Sequence, residues 1–161
     1  MMSVQQLNPD ARAPVVPQAW VSFLRAHAAV TRALNAELVA EHGLTLNDYE
    51  VLLRLAHAPD RRLRRVDLAE RVLLTASGIT RLLEGLERAG FVRKARCDSD
   101  GRVVYAELTQ KGYEKLRASS STHLDGIDRV FAGRFSEDER RTLADLLGRL
   151  AAEEAIDCTV G

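Results

Sequence analysis

Apolar and aromatic residues recur at three- and four-residue steps over most of the chain. Trp20, Phe23, Leu24, His27, Val30, Leu34 and Leu38 keep this spacing between about 17 and 41, and Gly43 ends the run. Thr45 to Asp48 has the spacing of a capping box, with Asp in place of Glu or Gln, and opens a second helix carrying Leu46, Tyr49, Leu52, Leu53 and Leu55. Val66 to Val72 fits a short helix with Leu68, Ala69 and Val72 on one face. After Leu73-Leu74 a new helix opens at Thr75 or Ser77, with Ile79, Leu82, Leu83 and Leu86 at helical spacing. Ser77, Gly78, Thr80, Arg81 and Glu84 are left for its other faces. Small and hydrogen-bonding residues at the start of an exposed helix suit a DNA major groove.

Gly90 then terminates the helix, and two extended stretches follow, one from Phe91-Val92 and one from Arg102 to Leu108. Between them lies Cys97-Asp98-Ser99-Asp100-Gly101, whose terminal Asp-Gly is a hairpin signal. The pair of strands therefore reads as a projecting wing with Arg93, Lys94, Arg96 and Arg102 on its flanks, where guanidinium groups reach phosphates or a narrow minor groove. Helical rhythm returns from about Gln110 to Gly133 with Tyr113, Leu116, Leu124, Ile127 and Val130. Ser136 to Glu139 is a capping box for a last helix with a leucine stripe at Leu143, Leu146, Leu147 and Leu150. The fold class expected is mainly α with a small β wing: a winged helix-turn-helix with long N- and C-terminal helices.

Charge changes the picture by where it lies. The net charge is zero, which argues against indiscriminate nucleic-acid binding. Yet from Arg61 to Arg102 there are 11 Lys or Arg against 6 Asp or Glu, so this segment carries +5 and the remainder −5. Within it, Arg61-Arg62-Leu63-Arg64-Arg65 reads either as a phosphate-anchoring patch or as a solvated loop, with its placement favouring the first. The 46% hydrophobic content supplies a core, no apolar run approaches about 18 residues, and the start lacks a signal-peptide pattern. A cytoplasmic protein without membrane contact is expected.

In order along the chain, Asp67-Leu68-Ala69-Glu70, Thr75-Ala-Ser77-Gly-Ile79-Thr80-Arg81-Leu82, Leu86-Glu-Arg-Ala-Gly90-Phe91-Val92, Asp100-Gly-Arg102 and Leu108-Thr109-Gln-Lys-Gly112 resemble the MarR family of bacterial transcription regulators. The resemblance covers roughly 18 to 155. It implies a sequence-specific repressor that binds a palindromic operator as a homodimer and is released by a small ligand. By this resemblance 17–43 and 110–156 are dimerisation helices, 44–109 is the DNA-binding lobe, 17–161 is one domain, and 1–16 is a flexible arm. The surplus apolar surface of the terminal helices independently calls for a partner chain, with Trp20, Phe23, Leu124, Ile127, Leu143, Leu147 and Leu150 as anchors.

The resemblance places Ser77 and Thr80 in the groove; Thr75 opens the same helix, Arg81 is a candidate for guanine edges or phosphates, and the wing residues Arg93, Arg96 and Arg102 are candidates for phosphates or the minor groove. Gly78 is added because a residue without a side chain lets the backbone come close. Arg81 has a competing reading, an ion pair to Asp67, Glu70 or Glu84. Asp100 would be repelled by phosphates, so its expected work is to orient Arg102 or Arg96. In the family a ligand commonly enters the crevice between dimerisation helices and DNA lobe. Trp20, Phe23 and His27 share a helix face, and with Tyr49 and Arg54 they form a candidate wall for an aromatic acid or phenol, whose carboxylate His27 or Arg25 would meet.

Other chemistries find less support. His27, His42, His57 and His123 are scattered, and no phosphate loop or nucleophile motif is present, so an enzyme is not expected. No cofactor is expected either. Some relatives bind zinc through the first and fifth helices, but position 127, one turn after His123, is Ile, so no metal site is expected. Thiol-based redox sensing is the alternative function, resting on Cys97 in the wing and Cys158 in the tail.

Overall fold

In a computed structural model, residues 15–72, 74–96 and 102–150 are described. The order is α1 (Val15–His42), α2 (Leu46–His57), a 3-10 turn (Pro59–Arg61), β1 (Arg62–Arg64), α3 (Arg65–Arg71), α4 (Ala76–Arg88), β2 (Val92–Arg96), β3 (Val104–Leu108), α5 (Gln110–Phe131) and α6 (Glu137–Gly148). The expected class holds: mainly helical, with one small antiparallel sheet.

Local chemistry sets the helix ends. Gly43 adopts φ +65 after α1, a left-handed stop that glycine takes without a Cβ penalty, and its N–H donates to Val39 C=O at 3.0 Å. The Thr45 hydroxyl accepts from the Asp48 N–H while the Asp48 carboxylate accepts from the Thr45 N–H at 2.9 Å, so the shorter carboxylate still closes the box. Ser136 and Glu139 do the same for α6, and these bonds to the ionised form hold the Glu139 carboxyl below its ordinary range. At the end of α4, Phe91 N–H donates to Leu86 C=O and Gly90 N–H to Glu87 C=O, both at 2.9 Å, a Schellman stop with Gly90 at φ +77.

The sheet runs β1-β3-β2 and has one strand more than the pattern predicts. Arg62–Arg64, read from sequence as a basic patch or loop, pairs with β3, with Leu63 buried opposite Ala106. Asp60 and Arg61 just before it both take positive φ, the tight reversal that delivers the chain into β1. The second wing strand starts at Val104, two residues later than expected from Arg102. The wing tip with Cys97 and Asp100, and the tail with Cys158, lie outside the described residues, so the wing-orienting and redox readings concern positions on which the structure is silent.

One core joins α2, α3, α4, the sheet and the first half of α5. Tyr49, Val51, Leu52, Leu55, Leu68, Ile79, Leu83, Leu86, Val92, Leu108 and Leu116 are all buried in it, each large side chain worth about 1.5–3 kcal/mol when fully buried. Leu38 extends this core to α1, which lies along α5. There Gly126 lets the helices approach: a Cβ on it would stand 2.8 Å from both Glu37 Oε2 and Leu34 Cδ2. Beside that crossing Arg129 donates to Glu37 at 2.6 Å.

Candidate nucleic-acid interface

The start of α4 is built by Thr75. Its hydroxyl oxygen accepts from the Gly78 N–H at 3.1 Å and lies 3.2 Å from the Ser77 hydroxyl, satisfying a donor the helix leaves orphaned. Thr75 thus has a local job as the N-cap. Gly78 has one as well, since a Cβ there would lie 3.1 Å from that same Thr75 oxygen. Ile79, Leu83 and Leu86 anchor one face in the core, which fixes which residues point outward: Ser77, Arg81, Glu84 and Arg88 are exposed. Thr80 is half-buried at the edge of that face, and its hydroxyl proton goes to the Ala76 carbonyl at 2.8 Å, leaving its oxygen as an acceptor and its methyl for contact.

The competing reading of Arg81 does not hold. Asp67 is taken in a two-pronged pair by Arg64, at 2.7 and 2.9 Å. Among the described residues Arg81 makes no ion pair or hydrogen bond, and neither do Arg71, Arg88 or Arg96. Those four guanidinium groups stand ready for an external anion.

Within the wing the cations divide. Arg93 lies directly opposite Glu107 in the β2–β3 register and donates to it at 2.6 Å, which holds its guanidinium above its already high ordinary pKa. Lys94 pairs with Glu87 at 3.2 Å. Arg93, a predicted DNA contact, is therefore already engaged within the protein, whereas Arg96 is not. Arg102 is exposed in the turn that leads into β3. Sequence reasoning missed two stacked cations: Arg61 sits over the Tyr113 ring at 4.1 Å and Arg62 over Tyr105 at 5.3 Å, holding the 3-10 turn and β1 against α5 and β3. Their spacing to aromatics 43 or more positions away left no local signal.

The junction between α4 and α5 is tight. Thr109 caps α5 by accepting from the Gly112 N–H at 3.0 Å, and its hydroxyl donates back to the Gly90 carbonyl at 2.7 Å. A Cβ on Gly112 would fall 2.0 Å from the Phe91 carbonyl oxygen, so the Thr-x-x-Gly spacing at 109–112 is a packing requirement. Lys111 adds a bond to the Ala89 carbonyl at 2.7 Å.

The predicted effector wall is only partly assembled. Trp20, Phe23 and His27 form a ladder along α1 with 6.3 Å between successive rings. Phe23 and His27 line an apolar groove of about 650 Å3 together with Val130, Phe131, Phe135, Leu143 and Leu147. His27 also borders a more open hollow of about 500 Å3 with Thr31, Arg32, Asn35, Leu46 and Asn47. Tyr49 and Arg54 belong to neither. Tyr49 is buried, stacks on His123 at 4.4 Å and donates to the Ser120 hydroxyl at 3.3 Å; Arg54 is half-buried and pairs with Glu50 at 3.5 Å. Arg25 is exposed on α1 and lines neither cavity. Of the proposed dimer anchors, Leu143 and Leu147 share the groove with Phe23, Leu124 and Leu150 are exposed, and Ile127 is half-buried.

Residues 33–118 match the family model described as transcriptional regulator SarA/Rot. The HTH-type transcriptional repressor YetL of Bacillus subtilis (strain 168) is 34% identical over 111 residues, which cover 69% of this chain and 66% of YetL. Among solved structures, Sco3205, a MarR family transcriptional regulator from Streptomyces coelicolor in complex with DNA, superimposes with TM-score 0.78 at 29% identity, covering 89% of this chain and 91% of that one. A mutant MarR from E. coli complexed with operator DNA shares the fold, with TM-score 0.74 and 22% identity over 86% of this chain and 96% of that one.

Proposed function

This chain belongs to the MarR family of DNA-binding transcription regulators, and from that premise we propose that it is a homodimeric repressor of a palindromic operator, released by a small aromatic or phenolic effector. The observation that carries the DNA part of the reading is α4: an outward face with Ser77 and unpaired Arg81 and Arg88, backed by a face locked into the core. Thr75 and Gly78 set the start of this helix, Thr80 flanks it, and Arg96 and Arg102 flank the wing as phosphate contacts. Genomic DNA places the protein's work in the cytoplasm. Among the described residues no helix is long and apolar enough to cross a membrane.

The dimer reading rests on apolar surface that the described residues leave open. No residue of α6 is buried, and Trp20, Phe23, Leu24, Leu124, Leu146, Leu147 and Leu150 are exposed. Because the groove and the leucine stripe lie on elements from the two ends of the chain, a second copy related by a twofold axis covers both at once. Two α4 helices so related read successive major grooves about 34–36 Å apart.

For the effector, the reading rests on His27, which sits where the aromatic ladder meets the polar hollow with Arg32 and Asn35. A ring stacks on Phe23 while its carboxylate meets His27 or Arg32. Release follows only if the ligand prefers the arrangement that does not fit DNA. The test is genome-wide capture of DNA by the purified protein, followed by titration of the captured operator complex with aromatic acids. A palindrome, a dimer by light scattering, and quenching of Trp20, the sole tryptophan, are the expected results. A monomer that retains no genomic fragment overturns the reading.

A further inference from the structure

Beyond Arg81 the outward face of α4 continues for another turn, and its character changes. Glu84 is exposed there and makes no hydrogen bond or ion pair among the described residues, although Arg81 precedes it by one turn and Arg88 follows by one. Next to it is Gly85. A Cβ at this position would meet nothing within 4 Å, and its φ is not positive, so neither packing nor backbone conformation asks for glycine. Glycine is also the least favourable residue for a helix interior after proline. The fold thus gives no reason for either residue, although both neighbours in sequence, Leu83 and Leu86, are buried.

Meeting DNA supplies a reason for both. A carboxylate near the duplex is repelled by phosphates unless it orients a cation or meets a donor on a base edge, and Glu84 pairs with neither of the arginines one turn away. In the major groove the cytosine N4 amino group is the donor that a glutamate accepts from, and a bare backbone beside the carboxylate lets the helix sit deeper. We propose that Glu84 is a specificity-determining residue of α4, accepting a hydrogen bond from the cytosine of a C·G pair in each half-site, with Gly85 providing the clearance. This rests on the reading of α4 as the helix that enters the groove.

The experiment starts from the duplex captured by the unmodified chain. If that chain binds no duplex better than random DNA, the functional reading itself fails, and this inference with it. With an operator in hand, each C·G pair is replaced in turn by T·A, and binding is measured for the unmodified chain, Glu84→Gln and Gly85→Ala. The expected result is one pair per half-site whose replacement weakens the unmodified chain about tenfold or more but leaves Glu84→Gln nearly indifferent. Gly85→Ala should melt no earlier than the unmodified chain and yet bind the operator about tenfold more weakly. The inference is overturned if Glu84→Gln shifts affinity equally for every duplex, as loss of a charge alone would do, or if Gly85→Ala binds as tightly as the unmodified chain.

Discussion

The winged lobe and the terminal helices solve the burial problem in opposite ways. In α2, 12 residues long, Tyr49, Val51, Leu52, Leu53 and Leu55 are all buried, whereas the 28 residues of α1 bury only Leu34 and Leu38, and α6 buries none. Both regions are amphipathic in sequence. The lobe finds its apolar partners within the chain, while the terminal helices carry an apolar surface that the described residues leave exposed. Amphipathic pattern therefore predicts that a face will be buried without saying in which molecule. Four experiments break or sharpen that contrast.

The largest effect belongs to the lobe. Gly112→Ala places a Cβ 2.0 Å from the Phe91 carbonyl oxygen; because the obstacle is backbone, the substitution should cost about 3 kcal/mol or more. Chemical denaturation should show it, with DNA binding lost whatever the oligomeric state. Near-normal stability would mean that the α4–α5 junction is looser than the structure describes.

Leu147→Glu is the matching change in the terminal helices. It lines the groove yet is more than a third exposed, so melting of the lobe should hardly change, within about 0.5 kcal/mol. Sedimentation should instead report a monomer, and operator affinity should fall about a hundredfold or more as the two half-sites cease to be held together. If the variant remains dimeric, α6 is not the interface.

Within the lobe, Arg81 and Arg93 separate external from internal charge. Arg81→Ala should weaken operator binding and, if it neutralises a phosphate, flatten the log–log salt slope by about 0.9. Arg93→Ala removes a partner of Glu107, and exposed pairs of this kind are worth about 0–1 kcal/mol, so its effect on binding should be the smaller. Equal losses would place both guanidinium groups on DNA.

The smallest effect is a pH dependence at the seam between the two regions. His123 is buried against Tyr49, its Nδ1 lacks a hydrogen-bond partner, and burial lowers its pKa below the ordinary value near 6.5. The unfolded chain then takes up the proton first as pH falls. Stability contributed by this group is present above about pH 6.5 and declines below it. Melting temperatures compared on either side of that value should fall more for the unmodified chain than for His123→Asn. Parallel curves would show that His123 takes up its proton alike in the folded and the unfolded chain.

How much was legible in sequence follows from how far apart the interacting residues are. Thr45, Ser136 and Gly90 work within four or five positions, and their roles stand in the sequence as written. Strand β1 does not: it has three residues, two of them exposed arginines, and exists only because β3, over 40 positions later, pairs with it. Tyr49 likewise carries the same local signal as a pocket residue, and only the arrival of His123 decides that it is core. The Arg93–Glu107 pair lies between these extremes. Once Val92 is set against Leu108, opposite charges face each other across the wing, so a register argument from the hairpin had the means to find it.

The joint at Gly90, Thr109 and Gly112 makes α4 and α5 a single lever. Four bonds tie them: from the Thr109 hydroxyl to the Gly90 and Phe91 carbonyls, from the Thr109 N–H to the Phe91 carbonyl, and from Lys111 to the Ala89 carbonyl. From the Gly126 crossing to the start of α5 is 16 residues, or about 24 Å of helix. Over that arm, a tilt of about 8° sweeps the far end by roughly 3.4 Å, the spacing of adjacent nucleotides along one strand. A tilt that small at one end of the arm would therefore displace its other end by one full step along a double helix.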